Sequence, residues 1–215
     1  GMYWNMEVTL RTMEARLCNT VGATGAIYAV RRRLLGLIPD DTLLDDVVIP
    51  MRCIREGARV LYDPEAVAWD TPMDAAQEAR RKLRTLGGNY QMLHRPKLYA
   101  TPTRGAMAWM FFGHKASRLL VPYALVGHFM ASALLMGSAA GAVWFGVQCA
   151  AYGSAGLCAA LRRFGVRVKG LGIPYTVVRM NWTVVAALAA YARGELHGPW
   201  QKTEAKSAVA ARRAA

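Results

Sequence analysis

The 215-residue chain is poor in acidic residues and has no paired cysteine motif. Its 14 Asp and Glu stand against 27 Lys and Arg, which gives a net charge of +13. Its four cysteines form no C-x-x-C pair, which argues against a zinc site or a disulfide framework and favours free thiols. No nucleic-acid recognition motif accompanies the charge, so an anionic substrate or anionic lipid headgroups are favoured as partners over nucleic acid.

The charge is also unevenly distributed along the chain. Residues 79–118 contain nine Lys or Arg and no acid, and residues 119–161 contain no Asp, Glu, Lys or Arg at all. A transmembrane helix needs about 20 predominantly apolar residues. The pattern therefore predicts a transmembrane helical hairpin at 117–161.

Basic segments flank this predicted hairpin on both sides. After it come a basic loop and an apolar segment within 162–193, which is either an interfacial helix or a third membrane helix. Residues 194–215 form a basic tail that the positive-inside tendency places in the cytoplasm. We therefore expect a protein integral to the inner or plasma membrane, with its catalytic part in the cytoplasm.

The first 116 residues have a mixed helical and extended pattern. Apolar residues recur at helical spacing over residues 1–20, and further helices are predicted at about 45–56 and 74–94. Small and β-branched residues at 21–30 and the segment ARVLYDPEAVAW at 58–69 predict strands. The expected fold class is α/β, followed by a C-terminal α-helical membrane region.

Four aspartates lie in the stretch LIPDDTLLDDVVIP, at 37–50. Asp40 and Asp41 follow a proline, which is typical of a turn. Asp45 and Asp46 precede a helical pattern, where Asp is a favoured capping and first-turn residue. Taken alone, this local signal favours a structural role for all four carboxylates.

Several motifs in order carry a resemblance that changes this interpretation. They are GATGAIYAVRR, LLDDVVIPMRCIREGARVLYDPEAVAW, ARRKLRTLGGNYQML and HKASRLLVPY. Together they resemble the C-terminal half of a membrane-bound family 2 glycosyltransferase, related to cellulose, hyaluronan, chitin and poly-N-acetylglucosamine synthases. The resemblance covers the chain from about Tyr3 to Trp200.

The resemblance implies a partial GT-A type catalytic domain at 1–116, which transfers a sugar with inversion. The donor would be a nucleotide-sugar, and the acceptor a glycan or lipid at the membrane. Asp46 matches the catalytic base of the family, and Asp45 is its helix-starting or orienting neighbour. Ala23, Thr24 and Gly25 match the segment that shapes the acceptor site.

The family's Q-x-x-R-W motif falls on Arg81 to Thr85. Its arginine is retained as Arg84, so Arg84 and Arg81 are the candidates for binding the donor diphosphate, a task that suits the planar guanidinium. Thr85 stands in place of the tryptophan, which is a departure from the processive polymerases of the family. The resemblance therefore leaves open a single-sugar transferase acting on a lipid acceptor.

The family's D-x-D metal motif occurs nowhere in this sequence. The nucleotide-binding N-terminal half is also missing, so we expect the chain to be a fragment that is inactive alone. A divalent ion, Mg²⁺ or Mn²⁺, is expected in the complete enzyme, with its main ligands outside this chain. A second alternative is a non-catalytic, basic membrane scaffold that retains a degenerate transferase domain.

Overall fold

The computed structural model describes residues 2–69, 74–166, 168 and 170–196, with no account of the side chains of residues 2–4. Within this part the chain forms α-helices, one short 3₁₀ turn at Arg32–Leu34, and one π-helical segment at Phe112–Ala116. The α-helices are α1 Met2–Leu17, α2 Asp45–Arg55, α3 Ala75–His94, α4 Gly105–Phe111, α5 Ser117–Leu134, α6 Ala139–Arg163 and α7 Gly172–Ala192. The predicted helices at 1–20, 45–56 and 74–94 are confirmed within a few residues.

The ends of these helices follow from local chemistry. Asp74 accepts a hydrogen bond from the Gln77 backbone N–H at 2.7 Å, and the Gln77 side chain accepts one from the Asp74 N–H at 3.2 Å. This reciprocal capping box satisfies two backbone donors and starts α3. α2 begins instead with two acidic residues, Asp45 and Asp46, whose negative charge suits the positive end of the helix dipole.

The predicted α/β fold, with a partial GT-A domain, is wrong: the described residues contain no strand and no sheet. The two segments expected as strands do approach each other, and the Thr20 N–H donates to the Val60 carbonyl at 3.1 Å. However, the Val60 N–H donates to the side-chain oxygen of Asn19 at 2.8 Å. Because that side chain takes the place of a second backbone partner, the pairing does not extend into a ladder.

The apolar core of the first half lies around α2. Val47, Val48 and Met51 from this helix pack with Met92 of α3, and the remaining members of the cluster are Val21, Leu44, Tyr99, Ala100, Phe111 and Ala116. The buried Gln91 side chain accepts from the Leu43 N–H at 3.0 Å and donates to the Asp41 carbonyl at 2.8 Å. α3 therefore holds both the apolar face of α2 and the loop that leads into it.

The charged face of α1, and not its apolar face, is the buried one. The apolar stripe that predicted this helix is exposed, from Leu10 at 38% to Leu17 at 81%. Glu7 and Glu14 point inward instead, and each is only 8% exposed. The hydrophobic period thus identified the helix correctly, but the charged face is the one that packs against the rest of the chain.

The C-terminal helices pack together, with α5 against α6 and α6 against α7, and α7 also packs on α3. Gln148 of α6 donates to the Ser132 hydroxyl of α5 at 2.9 Å across the first of these contacts. In the described residues, however, we find no helix with the length and apolarity needed to span a bilayer. The predicted transmembrane hairpin at 117–161, the membrane helix within 162–193 and the integral membrane location are therefore wrong.

The membrane prediction failed because a residue can be uncharged without being strongly apolar. Of the 25 residues of α6, 12 are Ala or Gly, which lose little hydration on entering a hydrocarbon environment. The absence of charged residues at 119–161 therefore indicated a membrane region, although many of the side chains there are small. In the predicted basic tail, 194–215, residues 197–215 lie outside the described residues, as do Arg167 and Lys169 of the basic loop.

Candidate functional site

The loop that follows α1, at residues 20–25, and the first turn of α2 form a compact junction. The Ala23 backbone N–H donates to the Asp46 carbonyl at 2.7 Å. Gly22, one residue earlier, has a φ of +100°, and a Cβ there would lie 3.1 Å from a methyl carbon of Val47. Only glycine meets both conditions easily, so this residue fixes how closely the loop approaches the helix.

This junction brings together residues that the resemblance had assigned to different roles. A Cβ placed on Gly25 would lie 3.2 Å from Oδ2 of Asp46, so the backbone of the predicted acceptor segment passes directly over the predicted base. Thr24 forms an isolated bridge with Ile27, which closes the loop on itself. Ala23, Thr24 and Gly25 therefore lie beside Asp46, although about 20 residues separate them in the sequence.

The carboxyl group of Asp46 has a perturbed pKa. Burial raises this pKa above the ordinary aspartate value of 3.8, and the negative charge of Asp45 raises it further. Lys115, Arg11 and Arg81 act in the opposite direction. A helix N-terminus by itself favours the ionised form of a carboxylate and weakens it as a base. Desolvation dominates here, however, and makes this carboxylate more basic than a solvated one.

Asp45 and Asp46 differ in exposure. Asp45 is exposed and Asp46 is half-buried. Leu44 occupies the capping position of α2 and makes no side-chain capping bond, so neither aspartate is the cap residue itself. Burial first, and then the negative charges of Asp45 and Asp46, raise the pKa of the Tyr28 phenol above its ordinary value of 10.0.

The other two aspartates of the stretch lie in the turn predicted for them. Asp40 is exposed, whereas Asp41 is half-buried. The Tyr99 hydroxyl donates to Oδ1 of Asp41 at 2.7 Å, and Arg95 donates to its Oδ2 at 3.4 Å. Asp41 thus anchors the turn to the end of α3.

The two candidate arginines both lie in α3 but differ in exposure and in what they contact. Arg84 is half-buried and donates from Nε to the Leu43 carbonyl at 3.4 Å, just before α2. Arg81, one helical turn earlier, is exposed and lines a large cavity beside the junction. The positive charge of Arg81 also lowers the pKa of Asp46, so Arg81 both lines the cavity and acts on the carboxylate.

The cavity has a volume of about 1420 Å³ and a basic wall. Five arginines line it, against two acids, Glu56 and Asp63. Gly22, Ala23 and Thr24 form part of the same wall. The arginines are Arg11, Arg31, Arg33, Arg59 and Arg81. Clustered guanidinium groups of this kind suit phosphate and other anions.

Lys115 and Arg11 are the site residues that sequence analysis missed. Lys115 lies in the π-helical segment, 69 positions from Asp46; it falls within the motif HKASRLLVPY, but nothing in that motif connects it to Asp46. The signal that could have found Arg11 is the charged stripe of α1, in which Glu7, Arg11 and Glu14 recur at helical spacing. The charged stripe was overlooked because the apolar residues of the same helix were taken as its main signal.

The expected divalent ion finds no donor set in the described part of the chain. No group of three or more His, Cys, Asp or Glu side chains there is arranged to hold a metal ion. Beside Asp46 the neighbouring charges include Lys115 and Arg11, which would oppose cation binding. A divalent ion held by residues outside this chain stays a prediction.

Comparisons with protein-family models, with curated proteins and with solved structures find no match to this chain. The resemblance to family 2 glycosyltransferases therefore rests on the sequence motifs alone.

Proposed function

We propose that this chain supplies the catalytic base and part of the substrate cavity for sugar transfer from a nucleotide-sugar donor to a glycan or lipid acceptor. The observation that carries the proposal is the contact between the Ala23–Gly25 loop and Asp46. These are the two elements that the resemblance assigns to the acceptor and to the base. Their proximity is what such a reaction requires, since a base must lie within hydrogen-bond reach of the acceptor hydroxyl.

In the proposed reaction, Asp46 accepts the proton of the acceptor hydroxyl while the hydroxyl oxygen forms a bond to the anomeric carbon. The bond from that carbon to the diphosphate breaks, and the diphosphate leaves with the electron pair. Attack from the face opposite the leaving group inverts the anomeric centre. The raised pKa of Asp46 favours proton removal, because a stronger base is a better proton acceptor.

The arginine-lined cavity supplies the second requirement. Negative charge develops on the diphosphate as the bond breaks, and preorganised cations stabilise such charge. Arg81 links the cavity to the surroundings of Asp46, so we assign it to the diphosphate ahead of Arg84. Thr85, in place of the family's tryptophan, favours the addition of one sugar over processive polymerisation.

The test is sugar transfer by the complete gene product that contains this chain, compared between wild type and Asp46→Asn. The substitution keeps the shape but removes the proton acceptor, so the rate should fall by roughly 10²–10⁴-fold. Asp40→Asn is the matched control, because Asp40 is an exposed aspartate of the same stretch and should tolerate the change. An Asp46→Asn enzyme with the wild-type rate would remove the basis of the proposal, whereas a wild-type protein that transfers no sugar would favour a non-catalytic basic scaffold.

A further inference from the structure

A buried network of charged side chains joins α1 to the π-helical segment. His114 is 8% exposed, and its Nδ1 lies 2.7 Å from Oε1 of Glu14. Its Nε2 lies 3.2 Å from Oε1 of Glu7. Both ring nitrogens thus face carboxylates, and both carboxylates are buried as well. Buried acids of this kind are retained at such a position only when they are paired.

The same two glutamates extend the network to the loop over Asp46. Oε2 of Glu14 accepts a hydrogen bond from the Val21 backbone N–H at 3.0 Å. Glu7 pairs with Arg11 at 3.1 Å, and Arg11 donates to the Gly22 carbonyl at 3.4 Å. Two independent branches therefore end on consecutive loop residues, immediately before the segment that contacts Asp46.

The network also connects to a residue whose charge acts on Asp46. His114 immediately precedes Lys115, whose charge lowers the pKa of Asp46. Both lie in the π-helical segment, whose wider turn is a feature often found at functional sites. Because His114 and Lys115 are adjacent in this segment, contacts that hold the His114 imidazole also restrain the position of Lys115.

We propose that His114 is a positioning residue, which holds the Val21–Gly25 loop and the turn bearing Lys115 against Asp46 through Glu14 and Glu7. The inference rests on the proposed function, because it gives His114 a role in arranging the base. His114 does not touch substrate in this account. It acts only through the two glutamates and the backbone on either side of the site.

The protonation of His114 sets the conditions under which the network is complete. Burial alone would lower its pKa, but the hydrogen bonds to Glu14 and Glu7 outweigh burial and raise the pKa above the ordinary value of 6.5. Lys115 opposes this shift. Arg11, on the facing helix, is paired with Glu7. The imidazolium contacts are therefore fully present below about pH 6.5 and are lost as pH rises through the raised pKa of His114.

The test is hydrogen–deuterium exchange on the complete gene product, followed at residues 20–25. His114→Ala should increase exchange of these amides, because removing the imidazole leaves the glutamates without their shared partner. His94→Ala is the matched control, since that exposed histidine bonds to Tyr191 instead. Unchanged exchange at residues 20–25 in His114→Ala would overturn the inference.

A pH series on the wild-type protein covers the case in which His114→Ala fails to fold. After correction for intrinsic exchange rates, protection of residues 20–25 should fall as His114 loses its proton. Protection that stays constant across this range would overturn the inference without any variant.

Kinetics then separate this inference from the proposed function. His114→Ala should lower kcat by roughly 10- to 100-fold, because small displacements of reacting groups have effects of this size. The KM for the donor should change little, and His114→Gln, which retains one donor group, should recover part of the rate. A loosened loop with an unchanged kcat would overturn the positioning role. An unchanged rate in Asp46→Asn would overturn the proposed function, and with it the role of His114 in arranging the base, but not the contacts to the loop that the exchange experiment tests.

Discussion

Gly25→Ala is the sharpest steric probe of the junction between the loop and Asp46. The added methyl carbon would lie 3.2 Å from Oδ2 of Asp46, which is closer than an ordinary contact of 3.4–4 Å. The carboxylate or the loop must therefore shift by a few tenths of an ångström. Because Gly25 does not have a positive φ, the substitution introduces no backbone strain of the kind it would at Gly22.

The expected effects on stability and on activity have different sizes. The half-buried Asp46 side chain can shift, and an alanine reduces the entropy of the unfolded chain by the equivalent of about 0.4–1 kcal/mol. The free energy of unfolding should therefore change by less than about 1 kcal/mol, as measured by urea titration. The transfer rate should fall by roughly 10- to 100-fold, because the methyl group displaces the base and covers the space beside it.

Gly36→Ala is the matched control for this experiment. A Cβ at Gly36 would lie 3.5 Å from Nη1 of Arg52, an ordinary contact away from Asp46. This variant should keep both its stability and its transfer rate. The reasoning would be refuted if Gly25→Ala transferred sugar as fast as Gly36→Ala, because the loop could not then lie over the base during the reaction.

Two further variants test the support of the site and its cavity. Gln91→Leu should lower the free energy of unfolding by about 2–4 kcal/mol, as measured by urea titration. The reason is that the substitution leaves the Leu43 N–H and the Asp41 carbonyl without hydrogen-bond partners in a buried position. A decrease under about 1 kcal/mol would mean that water reaches these two groups. Arg81→Ala should raise the KM for the nucleotide-sugar donor by roughly 10-fold, as expected for the loss of one charge-assisted contact. Arg80→Ala, an exposed neighbour on the same helix, should leave that KM unchanged, and equal effects of the two would contradict the assignment.

Helix positions were the part of the fold most accessible from the sequence. The capping residue Asp74 and the acidic start at Asp45 mark real helix ends. Strands were overpredicted because a strand forms only where a second strand pairs with it. Here the Val60 N–H, which a ladder would have used, donates to the side-chain oxygen of Asn19 instead. The membrane region was overpredicted because alanine and glycine in α6 lack charge without being strongly apolar.

The candidate site was accessible in part. Motif order paired Ala23–Gly25 with Asp46, and the structure places them in contact. Local patterns gave no indication that the charge of Lys115 acts on Asp46, because that effect depends on how distant segments pack. The buried face of α1 could not be read from its apolar stripe, because Glu7 and Glu14 are buried instead and their pairing with His114 compensates for that burial.

The account depends on Asp46 acting as the proton acceptor, and the pH dependence of sugar transfer tests this most directly. In the wild type, the rate should fall on the acid side with an apparent pKa above 3.8, because burial raises the pKa of this carboxyl and only its ionised form can take the proton. In Asp46→Asn this acid limb should vanish along with most of the activity. An acid limb that persists in Asp46→Asn, at a rate close to that of the wild type, would contradict the account.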